Sequence, residues 1–188
     1  MIAQETQDWF VFRGERDYLH STSLFDFILA EHARKAGIPQ NIDFTFLHKT
    51  NCACRVEDTN QGDTGLVATY IDANSQYYLY ETEQLIQRRV PYSEPGEGNG
   101  YIIIGDCASI QDVNEDNSFI ELAVGAYKGL LTSIFPEFSG RYVFARMKLD
   151  WIPVSSFEIC YQRKVAKHFF EGEIRVDEIP VGLIYFGI

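Results

Sequence analysis

The sequence predicts an α+β protein made of two tandem copies of one unit, each a long central helix wrapped by a curved antiparallel β-sheet. Three observations carry this. SLFDFILAEH (23–32) and SFIELAVGAY (118–127) share one pattern: serine, two apolar residues, an acid, three apolar residues and a small one. Asp17, Ser23 and Asp26 stand 95 positions before Asp112, Ser118 and Glu121, and the alternating runs IDFTFLHKT (42–50) and YVFARMKLD (142–150) lie 100 apart. PYSEPGEGNG (91–100), rich in proline and glycine, reads as a linker between copies. The units are therefore residues 1–90 and 101–188, with 91–100 between them, forming one compact pseudo-dimeric body.

In chain order, WFVF (9–12) is a short apolar strand. Ser23 is placed as the N-cap of the first helix, with Asp26 completing a capping box, and the helix stops at Gly37 with Pro39 beyond. Leu24, Phe25, Phe27, Ile28, Leu29, Ala30 and Ala33 cover most of its circumference, which predicts a helix buried all round. LVATYI (66–71) and QYYLYETEQLI (76–86) follow as strands. YIIIG (101–105) opens the second copy. Its helix runs from a Ser118 cap with Glu121 through KGLLTSIF, followed by the strands FEICYQRKVA (157–166) and HFFEGEIRV (168–176).

Composition narrows the functional classes. With 46% hydrophobic residues the chain can bury a core, and it is not a disordered segment. No apolar run approaches the length of a membrane span, and no basic-then-apolar export signal opens the chain, so a cytoplasmic protein without membrane association is expected. A net charge of -11 argues against nucleic acid, which needs a basic face. Cys52, Cys54, Cys107 and Cys160 show no C-x-x-C spacing, and the four histidines are scattered. Free thiols and no metal or other cofactor are expected. GEGNG lacks the lysine and strand-to-helix setting of a phosphate loop.

A buried helix wrapped by antiparallel strands, present twice, resembles the hot-dog fold, and the pair resembles a double hot-dog. Hot-dog proteins mostly act on acyl thioesters of CoA or acyl carrier protein, at a site beside the helix N-terminus. The resemblance thus implies an acyl-CoA or acyl-carrier-protein substrate and a monomer that is already a pseudo-dimer, or a homo-oligomer of it. ERDYLHSTSLFDFILAEHAR (15–34) is similar in spacing to the 4-hydroxybenzoyl-CoA thioesterase branch: Asp17 precedes His20, and Glu31, Ala33 and Arg34 follow, with Leu19, Ser21 and Thr22 where that branch has glycine and asparagines. The dehydratase branch pairs a histidine from one half with a helix carboxylate from the other, which here implies His20 with Glu121. Its His-Phe-x-Gly-x-Pro motif is missing.

The catalytic candidates are accordingly His20, Glu121, Asp26 and Asp17, with thioester hydrolysis first, 3-hydroxyacyl dehydration or isomerisation second, and a non-catalytic acyl-binding module third. Each has a structural reading beside it. Asp26 and Glu121 also fit as helix caps, His20 as a turn residue, and Asp17, matched by Asp112, as a turn anchor. His20 corresponds to Glu115 in the second copy, so one site at most carries this histidine. Glu31 and His32 read as a solvated helix edge, His48, Lys49 and His168 as strand residues, and the QYYLY tyrosines and Phe169–Phe170 as sheet core or acyl-tunnel lining. Arg88–Arg89 and Arg163–Lys164–Lys167 are the basic groups a carrier protein would meet.

Overall fold

The computed structural model describes residues 9–111, 113 and 117–188. Asp112 and Glu115 lie outside the described residues. In chain order come β1 (Phe12–Arg13), α1 (Ser21–Ala36), β2 (Ile42–Phe46), β3 (Cys52–Glu57), β4 (Leu66–Ile71), β5 (Gln76–Leu85), β6 (Arg89–Val90), β7 (Ile102–Ile104), β8 (Cys107–Ile110), α2 (Phe119–Ile134), β9 (Val143–Leu149), β10 (Phe157–Val165), β11 (Phe169–Val176) and β12 (Ile179–Gly187). One sheet of 10 strands runs in the order β3-β5-β4-β2-β9-β12-β11-β10-β8-β7, and β1 and β6 form a separate parallel pair.

The sheet joins at its centre. β2 pairs antiparallel with β9, Phe44 opposite Met147 and Ile42 opposite Leu149, and all four side chains are buried. Aromatic rings then tie this seam to both helices. Phe25 of α1 meets Phe44 edge-on at 5.2 Å, Phe44 stacks on Phe144 at 6.0 Å, Phe144 lies 6.1 Å from Phe186, and Phe186 meets Tyr127 of α2 at 5.3 Å. Rings in these offset and edge-on arrangements add to the free energy of their burial.

α2 is the more enclosed helix. Ile120, Leu122, Ala123, Ala126, Tyr127, Leu130 and Leu131 are all at most 1% exposed. Its remaining side is covered by the 91–101 segment, which approaches so closely that only glycine fits. A Cβ on Gly129 would stand 2.0 Å from the Tyr101 hydroxyl, and one on Gly125 3.0 Å from the Pro95 carbonyl oxygen. Pro95 and Tyr101 thus lie directly against α2.

Several sequence expectations are corrected. α1 begins at Ser21 with His20 as its N-cap, two residues before the expected Ser23. The reason lies in tertiary structure: Leu19 is fully buried, with its N–H bonded to Thr50 O at 2.8 Å, so the chain must enter the helix immediately afterwards. α1 is not apolar all round in effect, because Ala30 and Ala33 are exposed and only Thr22, Ser23, Leu24, Phe25, Ile28 and His32 are buried. YIIIG is one arm of the β7–β8 hairpin, and β3, β8 and β12 are strands the sequence pattern left unassigned. Cys107 and Cys160 are not free thiols: they face each other in the β8–β10 register and are joined by a disulfide across a separation of 53 residues. Cys52 and Cys54 are free, and burial pushes the Cys54 thiol up to about 12. No helix among the described residues is long and apolar enough to cross a membrane.

Candidate active site

The N-terminal ends of the two helices meet. At α2, Ser118 is an N-cap with a complete capping box: Glu121 N–H donates to Ser118 Oγ at 3.4 Å and Ser118 N–H donates to Glu121 Oε2 at 3.2 Å. The Ser118 hydroxyl then donates its own hydrogen to Asp26 Oδ2 of α1 at 2.8 Å. Asp26 thus serves the other helix and makes no capping box of its own. Burial raises its carboxyl pKa to about 6, although the Ser118 hydrogen bond and the Arg13 charge oppose the rise. Arg13, from β1, forms an ion pair with Glu121.

At α1 the first turn is differently furnished. The His20 side chain makes no capping hydrogen bond, and no acid lies in the first turn. The hydroxyls of Thr22 and Ser23, each residue 2% exposed, have no hydrogen-bond partner among the described residues. N–H groups of an uncapped first turn carry the positive end of the helix dipole and bind oxyanions well. The buried hydroxyls add two more donors without an assigned acceptor.

His20 itself is enclosed by Tyr92, whose ring meets the imidazole edge-on at 5.1 Å, and by Tyr18 at 6.5 Å. Burial drives its pKa down to about 3, with Arg16, Arg13 and Lys128 pushing the same way and Glu94 opposing, so the imidazole is neutral at neutral pH. Glu94 accepts from Arg16 at 2.5 Å and from Lys128 at 2.6 Å. Those two cations overcome the raising effect of its burial and hold it below the ordinary glutamate value. The segment carrying Tyr92 and Glu94 is brought here by β6, which pairs in parallel with β1, Arg13 opposite Val90. Arg89 locks that pairing through its guanidinium to the carbonyls of Gly14 and Arg16 at 2.5 and 2.6 Å.

A cleft of about 440 Å³ opens between these parts, walled by β1, the 88–93 segment and the start of α2; Arg13, Tyr92, Asn117 and Glu121 are among its lining residues. Asp26 lies one hydrogen bond behind that wall, through Ser118. The structure therefore brings Asp26 and Glu121 together at Ser118, with Arg13 between Glu121 and Tyr92. His20 faces Tyr92 and the Arg16–Glu94–Lys128 cluster. Asp17 is exposed in the bend before α1. Arg13, Ser118 and Tyr92 are the residues that sequence reasoning missed as parts of a site. Ser118 was visible as a cap, but nothing local in the sequence marks the other two.

The remaining candidates fall elsewhere. Glu31 pairs with Arg34 on the helix surface at 2.8 Å, and His48, Lys49 and His168 are exposed. His32 is 1% exposed and contacts Asp72 Oδ2 through Nε2 at 3.1 Å, beside Tyr70 and Tyr77, so it is a core residue and no solvated edge. Arg163 is taken by Glu171 at 2.9 Å, and Lys164 lies over the Phe170 ring. Among the described residues, Cys107, Glu158 and Cys160 have donor atoms clustered closely enough for a metal ion, but both sulfurs are in the disulfide.

No protein-family model matches the chain, and no curated protein matches it. Solved structures do. A Thermobifida fusca YX protein named as a candidate thioesterase II is similar over 95% of this chain and 88% of its own, with TM-score 0.51 and 10% identity. The dehydratase domain of RzxB from Pseudomonas fluorescens gives TM-score 0.49 at 13% identity, covering 91% of this chain and 86% of its own. The dehydratase-cyclase domain of ambruticin biosynthesis gives 0.49 at 12%, covering 96% and 86%. The chain has the hot-dog fold. Its large antiparallel sheet and two helices fit that fold.

Proposed function

We propose that this protein processes an acyl thioester where the two helix N-termini meet, beside the cleft walled by β1, the 88–93 segment and the start of α2, and that the reaction is hydrolysis. The observation that carries this is the Asp26–Ser118 contact, which holds a carboxyl group with a pKa near 6 beside a helix N-terminus. Such a group exchanges protons readily near neutral pH. Asp26 takes a proton from water as the water oxygen attacks the thioester carbonyl. The free N–H groups of the first turn of α1 receive the developing oxyanion. Collapse of the tetrahedral intermediate breaks the carbon–sulfur bond, and the proton on Asp26 passes to the departing thiolate. Glu121, fixed by Ser118 and Arg13, positions the α2 terminus and is not the base. The name of the Thermobifida fusca neighbour agrees with this reading.

Dehydration of a 3-hydroxyacyl thioester is the second reading, with the enclosed, neutral imidazole of His20 as its base; a pKa near 3 makes that imidazole a weak base and ranks dehydration behind hydrolysis. His20 would then remove the α-proton while Asp26 protonates the departing hydroxyl. In either case the architecture is read as a double hot-dog, 1–90 and 101–188, joined through 91–100, with the β2–β9 seam in support. The acyl carrier is CoA or an acyl carrier protein. Thiol release from a panel of acyl-CoAs and acyl-carrier proteins tests the proposal, with wild type set against Asp26→Asn and His20→Ala. Thiol release lost in Asp26→Asn supports hydrolysis. Enoyl absorbance without thiol moves the assignment to dehydration, and neither product from any substrate leaves an acyl-binding module.

A further inference from the structure

Tyr92 stands where three parts of the molecule converge, on a segment that the sequence pattern treats as a linker. Its ring packs edge-on against His20 at 5.1 Å, the Arg13 guanidinium lies over it at 5.2 Å and that of Arg16 at 5.8 Å. Arg13 also hydrogen-bonds its hydroxyl, while Arg13 is held on its other side by Glu121. Tyr92 lines the cleft. The ring is therefore the partition between an enclosed imidazole and two guanidiniums, one of which forms the cleft wall. The backbone keeps it there: β6 is bonded to β1, with Phe12 N–H to Arg88 O and Gly14 N–H to Val90 O, each 3.0 Å.

We propose that Tyr92 is a positioning residue of this site, whose ring seals His20 from water and orients its imidazole beside the start of α1. The inference rests on the reading that His20 belongs to the site, but its test needs no substrate. The groups that face His20 are Arg13 and Arg16 from the chain before α1, Lys128 from α2, Glu94 and Tyr92 from the segment after β6, and Tyr18 from its own approach to the helix. Three of the four charged groups disfavour an imidazolium, and exclusion of water disfavours it further. Removing the ring admits water, which both solvates the cation and screens the arginines. Both effects move the titration in one direction, upward.

The experiment is an NMR pH titration of the histidine ring protons in wild type, Tyr92→Ala and Tyr92→Phe, with the His20 signal identified by its loss in His20→Gln. In wild type, His20 should show no titration above about pH 4. Tyr92→Ala should bring its midpoint up by about 2 units or more toward the ordinary histidine value, and Tyr92→Phe, which keeps the ring, should restore wild-type behaviour. The signal of buried His32 reports whether the fold persists, and Tyr92→Gln replaces the alanine variant if that fails to fold. An unchanged His20 midpoint in a folded variant without the ring overturns the proposal, as does ordinary titration in wild type. Thioester assays on the same samples separate the two claims. A shifted titration with no turnover of any thioester sinks the acyl reading alone, and turnover lost without a shifted titration sinks the positioning role alone.

Discussion

Ser118 and Asp26 join the two helices of this fold at their N-terminal ends, the Ser118 hydroxyl donating to Asp26 Oδ2 at 2.8 Å. One hydroxyl closes the cap of α2 and at the same time holds the carboxyl of α1. Asp26 must be deprotonated to act as a base, and its pKa is raised to about 6 by burial. Turnover should therefore climb as pH rises through about 6, and Asp26→Asn should reduce kcat by at least about 100-fold, as expected for loss of a general base. A pH–rate profile of both proteins is the measurement; an acid limb that survives in Asp26→Asn would assign it to another group.

The same shift has a consequence for stability with the opposite pH sense. A carboxyl whose folded pKa lies above its unfolded value binds protons more tightly in the native state, so the stability it contributes is present at low pH and is lost as pH rises from about 4 to about 6. Ionisation of Asp26 at pH 7 costs on the order of 3 kcal/mol. Asp26→Asn, which can still accept from Ser118, should therefore be more stable than wild type at pH 7 and lose this advantage near pH 4. Urea denaturation at the two pH values measures the difference.

His20 runs the other way. Its folded pKa is depressed to about 3, so between that value and its ordinary 6.5 the unfolded chain binds a proton the native state refuses. Stability from this residue is complete above pH 6.5 and is lost as pH falls through the window. His20→Gln should move the midpoint of acid unfolding to lower pH, by several tenths of a unit or more, in a circular dichroism titration. A midpoint unmoved or raised would show that the imidazole carries no such penalty.

Much of this arrangement was legible in the sequence, and the parts that were not share a cause. Ser118 with Glu121 was readable because a capping box is a local contract between residues three apart. The matching Ser23–Asp26 spacing misled, because burial of Leu19 moved the helix start to Ser21 and left Asp26 available to Ser118. β12 escaped notice although its pairing on β9 needs Gly182, where a Cβ would meet Lys148 O at 2.2 Å. Pro180 and the glycines around it obscure the strand pattern, and the requirement for glycine arises only from a partner strand more than 30 residues earlier. Arg13 and Tyr92 come together through a two-residue parallel pairing of β1 with β6, too short to leave periodicity in either segment. The Cys107–Cys160 bond likewise follows from strand register, which spacing does not disclose.

That disulfide encloses 53 residues of sequence separation, α2 among them, and ties the terminal β7–β8 hairpin of the sheet to β10. Cross-linking a loop of this length removes conformational freedom from the unfolded chain and stabilises by about 2–4 kcal/mol. The Cys107→Ser, Cys160→Ser double variant should unfold at correspondingly lower urea concentration. A reducing agent should lower the wild-type midpoint and leave the variant unchanged. Equal midpoints with and without reductant in wild type would show that the two sulfurs are not bonded in solution.

Phe44 carries the last prediction, because it is the ring through which α1 reaches the centre of the sheet. It is fully buried, touching Phe25 at 5.2 Å and Phe144 at 6.0 Å, and it sits on β2 at the seam with β9. Phe44→Ala removes the apolar contact of α1 with the seam and leaves a cavity bounded by a sheet that cannot collapse onto it, so a loss of about 3–5 kcal/mol is expected. Phe44→Leu, which refills most of the space, should lose less than half of that. Because α1 also holds His20 and Asp26, loosening its seat should disturb the site in proportion. Turnover per folded molecule should fall in Phe44→Ala and recover in Phe44→Leu, when activity is measured below each variant's unfolding midpoint. Turnover in Phe44→Ala equal to wild type would show that the N-terminal turns are held by Arg13, Ser118 and the 88–95 segment alone, independently of the aromatic seam.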